Sequence, residues 1–250
     1  MVISLLLLVQ LSSAQVVGLD NWYNCETDAK TGLPFHYLWT DTNNSGYSQW
    51  GELFVRHGAS ITTVKSAADS KNLADLDIYI IVDPDTTTES ASPNYIRAAD
   101  RKAIKKWVKK GGILVLMAND GPNCEFTHLN LLAGMFGIHF NHVSLHPVLN
   151  RKWDMGAITS FTNHPIFEGV SKIYMKEICS LKLDDQAEII LSENGDVFMA
   201  EVNIGKGTVL AIGDPWIYNE YIDHKFLPAD FDNLKAAENL TLYLISKAGY

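Results

Sequence analysis

Cysteine is scarce in this sequence, with Cys25, Cys124 and Cys179 the only three in 250 residues. Three thiols make no disulfide framework, and no C-x-x-C pair marks a zinc site. They read as scattered thiols, with a Cys25–Cys124 bridge as the alternative, because both fall in loops expected at one edge of a sheet. Positive charge is also short: 20 Lys and Arg face 29 Asp and Glu, a formal net charge of −9. Nucleic-acid binding needs a basic stripe that displaces counterions, so no nucleic-acid partner is expected. The one basic cluster (Arg101, Lys102, Lys105, Lys106, Lys109, Lys110) surrounds Ile104, Trp107 and Val108 at helical spacing and reads as a solvated helix face. Long apolar runs are missing too. Ile3–Val9 is far too short to cross a bilayer, and no later segment could serve as an anchor, so no membrane span is expected. That run precedes Ser12, Ser13 and Ala14, small residues that suit cleavage after Ala14. No Lys or Arg comes before it, so the charged end of such a leader is only the amino terminus. Residues 1–14 are expected to be a signal peptide, and the protein exported to the periplasm or beyond.

What is present is an alternation of strand and helix patterns, the mark of an α/β fold with a mostly parallel sheet covered on both faces. Strands are expected at Gln15–Leu19, Ser60–Val64, Asp77–Val82 and Ile113–Ala118, the last two as continuous apolar runs. Helices are expected at Ser48–His57, Ile96–Lys110, Phe126–Phe136 and Leu234–Lys247, the first three each followed by glycine. Residues 143–169 read as irregular. Short strands follow at Ile173–Leu183, Glu188–Leu191, Val197–Asn203 and Thr208–Ile212, the last two forming a hairpin across Gly205 and Gly207. No internal repeat and no second hydrophobic unit is visible, so residues 15–250 read as one domain.

Ligands of open α/β sheets bind beyond the carboxyl ends of the strands. The residues expected there are unusual: Asp20, Asn21, Trp22, Asn24 and Glu26; Trp39 and Asp41; Asp83 and Asp85; Asn119, Asp120 and Glu125; Asp214, Trp216, Tyr218, Asn219 and Glu220. Asp and Asn cap helices and shape turns in most proteins, which explains part of this list. It does not explain three indoles beside them. Aromatic faces next to carboxylates and carboxamides suit a sugar, whose C–H faces stack and whose hydroxyls hydrogen-bond.

Five motifs also carry a family resemblance: D-N-W-Y-N-x-E at 20–26, Y-x-W-x-D-T at 37–42, I-V-D-P-D-T at 81–86, L-V-L-M-A-N-D at 114–120 and G-D-P-W-x-Y-N-E-Y at 213–221. Together they resemble the uncharacterised class I glutamine amidotransferase-like domain found with unsaturated rhamnogalacturonyl hydrolases of pectin-degrading bacteria. The resemblance implies a flavodoxin-like, amidotransferase-like sheet with a C-terminal β-hairpin extension. It also implies a role in pectin and rhamnogalacturonan degradation. The hydrolase's own catalytic domain is absent from this chain. So is the amidotransferase nucleophile: Cys124 comes too late for the elbow at 118–122, and Asp214-Pro215-Trp216 stands where an H-x-E would follow.

The leading expectation is therefore an oligosaccharide ligand bound by an exported carbohydrate-active protein, a glycoside hydrolase if catalytic. Asp120 and Asp214 form the first carboxyl pair, with Glu26, Asp41, Glu125 and Glu220 in reserve. Trp22, Trp39, Trp216 and Tyr218 would stack, while Asp20, Asn21, Asn24, Asp83, Asn119 and Asn219 would take hydroxyls. The rival is a non-catalytic sugar-binding or assembly module associated with polysaccharide-degrading enzymes. No cofactor and no metal is expected, although Asp83, Asp85 and Asp120 offer oxygen ligands of the kind calcium takes. His139, His142 and His146 look like a metal cluster, but strand alternation does not place all three on one face. His128, on the helix after the elbow, is placed to look back at the site.

Overall fold

A computed structural model describes residues 14–28, 30–121 and 123–249. The expected leader lies outside these residues except for Ala14. Strand β1 (Val16–Asp20) is followed by α1 (Ser48–Arg56), β2 (Ser60–Val64), β3 (Ile78–Val82), α2 (Ala98–Lys109), β4 (Ile113–Met117) and α3 (Phe126–Ala133). Short strands β5 (Ile138–Phe140), β6 (Ala157–Ile158), β7 (Ile173–Tyr174), β8 (Leu181–Leu183) and β9 (Glu188–Glu193) come next. The long hairpin of β10 (Asp196–Ile204) and β11 (Gly207–Ile212), a short α4 (Asn219–Ile222) and α5 (Asn233–Ala248) complete the chain.

The main sheet has the order β2-β1-β3-β4-β11-β10-β8-β5, with β9 also on β10. The ladders are parallel from β2 through β11 and antiparallel beyond it. The hairpin is thus not an appendage at the edge. Its second strand runs up the middle of the sheet, as the unbroken burial of Gly207–Ile212 requires. Gly205 makes the turn possible: its φ is +66°, and a β-carbon there would sit 2.7 Å from the Lys109 carbonyl oxygen. The segment expected as one strand at 173–183 is two, with β7 pairing β6 in a separate small sheet and β8 joining the large one. The stretch expected to be irregular contains β6.

Alternation along the strands builds two cores. Ile78, Ile80 and Val82 of β3 face Trp50 and Phe54 of α1 and Leu240 and Leu244 of α5. Tyr79 and Ile81 face Ile104 and Val108 of α2 and Leu129 and Leu132 of α3. Asp100 starts α2 by accepting the Arg97 backbone N–H at 2.8 Å, which satisfies one donor that the helix leaves free. Trp50 is the keystone of the α1 face. It is wholly buried, and its Nε1 donates to Thr241 Oγ1 at 3.0 Å across to α5. Truncation to Trp50→Ala leaves a cavity and removes the one hydrogen bond that ties α1 to Thr241, and should cost about 3–5 kcal/mol in urea unfolding. A loss below about 1 kcal/mol would mean that the two helices are not locked through this residue.

Candidate functional site

Four neighbouring strands, β1, β3, β4 and β11, end in Asp20, Asp83, Asn119-Asp120 and Gly213-Asp214, so their carboxyl groups stand along one edge. Each of these aspartates is buried, between 2% and 5% exposed. Burial withdraws water from a carboxylate and favours the protonated form. It lifts Asp20 to about 6 against opposing hydrogen bonds from the Tyr79 hydroxyl and the backbone N–H groups of Trp22, Tyr23 and Asn24. Asp83 is raised well above the usual range by burial, although Asn119 and Tyr37 donate to it. Asp214 is pushed up to about 8 by burial, with the charges of Glu177 and Asp120 adding and Lys176 opposing.

Asp83 is the hub. Its Oδ2 accepts from the Tyr37 hydroxyl at 2.7 Å and from Asn119 Nδ2 at 3.0 Å, while its carbonyl takes Asn24 Nδ2. Its Oδ1 is buried with no partner. Backbone φ is +42° at Asp83, +63° at His36 and +48° at Tyr37, a left-handed conformation costly for side chains of this size. The tertiary contacts hold both ends of the Tyr37–Asp83 hydrogen bond in that conformation. Tyr218 completes the group, with its hydroxyl 3.5 Å from that of Tyr37.

Many of the residues expected to bind ligand are instead structural. Asp20 is a turn cradle, and Asn21 bonds the Asn24 carbonyl at 2.9 Å. Asp41 accepts the backbone N–H groups of His36 and Asn43. Asn219 is saturated: its Nδ2 reaches Asp41 O, Asn43 O and Ser48 Oγ, and its Oδ1 caps α1 through Gln49 N. Glu125 caps α3, accepting Thr127 N at 3.1 Å and His128 N at 2.9 Å. The indoles are the main correction. Trp216 is fully buried and Trp39 nearly so, with Trp39 Nε1 donating to Thr62 O and its ring edge-on to Trp50. Neither presents a face to a ligand. Trp22 is half-buried against the α2 side of the core. Glu220 is half-buried, and burial raises its carboxyl. Glu26, also half-buried, is lifted to about 7 by burial and by the charges of Glu89 and Asp85.

Two alternatives raised by the sequence are not seen among the described residues. All three cysteines are free; Cys25 Sγ donates to Asp85 Oδ2 at 3.4 Å, and Cys124 is buried with its thiol raised well above the usual value. Asp83, Asp85 and Asp120 do not converge, and no group of three acidic, His or Cys side chains among the described residues is arranged to hold a metal.

The open space at this edge lies beside the aspartate row. A cavity of about 640 Å³ is lined by Thr86, Tyr95, Glu125, Phe126, His139 and His142, among others. Of these only Glu125 was expected at the site. His128 stands next to the cavity, stacked on the Tyr95 ring at 4.6 Å and 3.2 Å from Glu125. His142 lies edge-on to Phe126 and against the elbow, where a β-carbon on Gly121 would fall 2.2 Å from its Cδ2. His139 and His142, read from the sequence as ordinary strand and loop residues, both line this cavity.

A mixed α/β protein whose central sheet carries polar residues at its carboxyl edge is the class defined by this geometry. The family described as a domain of unknown function (DUF4350) matches residues 40–241, and the chain belongs to it. No curated protein matches the chain. The fold is similar to that of the mmIFT52 N-terminal domain, with a TM-score of 0.69 at 16% identity over 92% of this chain and 97% of that one. It is similar to the cytoplasmic protein STM1381 from Salmonella typhimurium LT2, with a TM-score of 0.60 at 13% identity over 92% and 99%. It is also similar to part of a β-galactosidase from Rahnella sp. R3, with a TM-score of 0.51 at 15% identity over 89% of this chain and 30% of the other.

Asp214 makes a prediction about pH. Its carboxyl titrates near 3.8 when unfolded and near 8 when folded. Between these values the unfolded chain loses a proton that the folded chain keeps, so stability falls as pH rises through the window and levels off above it. Asp214→Asn should flatten this part of the profile, gaining stability relative to the parent progressively from about pH 4 to about pH 8 in urea unfolding. Parallel profiles would show that Asp214 is ionised in the folded protein.

Proposed function

We propose that this protein is an exported carbohydrate-binding module of pectin and rhamnogalacturonan breakdown, working beside polysaccharide-degrading enzymes and not itself cleaving glycosidic bonds. The observation that carries the reading is the cavity beside the elbow. Two aromatic residues, Tyr95 and Phe126, share its lining with the polar side chains of Thr86, Glu125, His139 and His142. Its volume falls within the roughly 300–1,000 Å³ of small-molecule sites. Aromatic faces with donors and acceptors around them are the chemistry that recognises a pyranose. Behind it, burial raises the carboxyls of Asp83 and Asp214, which disfavours negative charge at this edge. The resemblance of the five loop motifs to the domain that accompanies rhamnogalacturonyl hydrolases supplies the substrate class and the expectation of export. It also supplies the finer fold assignment, a flavodoxin-like, class I amidotransferase-like sheet. The fold's occurrence within a longer β-galactosidase chain agrees with such a partnership.

A glycosidase is the second reading, and one feature favours it: burial pushes the Asp214 carboxyl up to about 8, as a general acid requires. Against it, Asp120 and Asp214 are nearly sealed from solvent and neither lines the cavity.

Calorimetry with saturated and unsaturated rhamnogalacturonan oligosaccharides, followed by product analysis, separates the two. The module binds without releasing a monosaccharide, loses roughly tenfold in affinity on Tyr95→Ala, and keeps its affinity in Asp214→Asn. Sugar release that disappears in Asp214→Asn would establish the hydrolase instead. Neither heat nor product with these sugars would remove the pectic assignment.

A further inference from the structure

At the opposite edge of the sheet, where β3 and β4 begin, a second cavity of about 480 Å³ opens beside the carboxyl end of α2. Leu73, Leu76 and Ala103 supply apolar lining, and the Trp107 indole forms a wall. That indole is fixed on several sides. Its Nε1 donates to Leu76 O at 3.2 Å, and Tyr79 meets it edge-on. Gly112 lies so close that a β-carbon there would be 2.3 Å from the ring. Lys106 and Lys110 are exposed lining residues, and neither has an ion-pair partner among the described residues. The only acid in the lining is Asp77, and its Oδ2 is already taken by the Val16 backbone N–H at 2.8 Å. By helical pattern alone the two lysines belong to a solvated face. The hollow beside them is what the pattern does not contain.

We propose that this cavity binds an amphiphilic monoanion, with its apolar body against Leu73, Leu76 and Trp107 and its acid group between Lys106 and Lys110. Charge complementarity points to an anion: two ammonium groups with no ion-pair partner among the described residues border an apolar hollow. A rigid indole with one face against backbone offers a preformed apolar surface, which costs little ordering on binding. The site stands at the amino edge of the sheet, so it is independent of the carbohydrate reading.

The test compares octanoate with octan-1-ol, which share a tail and differ in charge. Calorimetry is run on the full chain and on a chain beginning at Gln15. Octanoate is expected to bind at one saturable site, with octan-1-ol weaker by at least roughly tenfold. The double variant Lys106→Ala/Lys110→Ala should erase that difference while unfolding at the same urea concentration as the parent. Ala103→Trp, which fills the hollow, should abolish binding of both. Equal affinity for the two ligands in the parent chain, or binding by neither, would overturn the proposal. Binding by the shorter chain alone would overturn it too, and would assign the hollow to residues 1–14.

Discussion

Strand β11 pairs on one side with parallel β4, from Thr208↔Ile113 to Ile212↔Met117, and on the other with antiparallel β10. A strand in this position must satisfy two different ladders and bury both of its faces. Its residues Thr208–Ile212 are small or apolar and β-branched where the ladder allows. Much of the rest depends on that seam. It joins the parallel body to the β5-β8-β10 extension, and it carries Asp214 to the same edge as Asp83 and Asp120. The hairpin that feeds β11 into the sheet requires the tight passage of Gly205 against Lys109, so helix α2 is positioned by the same turn.

The carboxyl edge bears an energetic cost for this arrangement. Burial raises the carboxyls of Asp83 and Asp214, Asp214 to about 8 despite Lys176 beside it, which weakens folding relative to an isosteric amide at the same place. The left-handed backbone at His36, Tyr37 and Asp83 adds strain to the same group. Such a cluster persists only where the surrounding core over-determines it, and here Tyr47, Trp50 and Trp216 supply that core in apolar contact below. The indoles therefore serve the site indirectly: they hold the bed on which the polar row lies.

Much of the architecture was legible from periodicity. The apolar runs at 77–82 and 113–118 are β3 and β4, Ile104 and Val108 are the buried stripe of α2 with Trp107 partly buried beside them, and Gly205 with Gly207 marks the hairpin. The loops at 20–26, 83–86, 119–125 and 213–221 do gather at one edge, because strand direction in a parallel sheet leaves no other place for them. The roles within those loops were not legible. Asp, Asn and Glu use the same oxygens to cap a helix, cradle a turn or hold a ligand. Asn219 and Glu125 became caps, while Asp83 became the centre of a buried network. Trp39 and Trp216 look like stacking platforms in a polar loop, yet both turn inward, since burying an indole stabilises more than exposing one to water. Thr86, Tyr95, Phe126, His139 and His142 come from four separate segments, and nothing local announces that they share a wall.

The order of strands and helices, the two-faced burial of the central strands and the convergence of polar loops were determined by the sequence itself, because each follows from side-chain period and chain direction. Which polar groups are spent on structure, which carboxyls lose their charge, and where open space remains were decided only by the tertiary fold. Those properties depend on desolvation and on close neighbours distant in the chain, such as Tyr37 beside Asp83 or Lys176 beside Asp214, and neither is a function of local order.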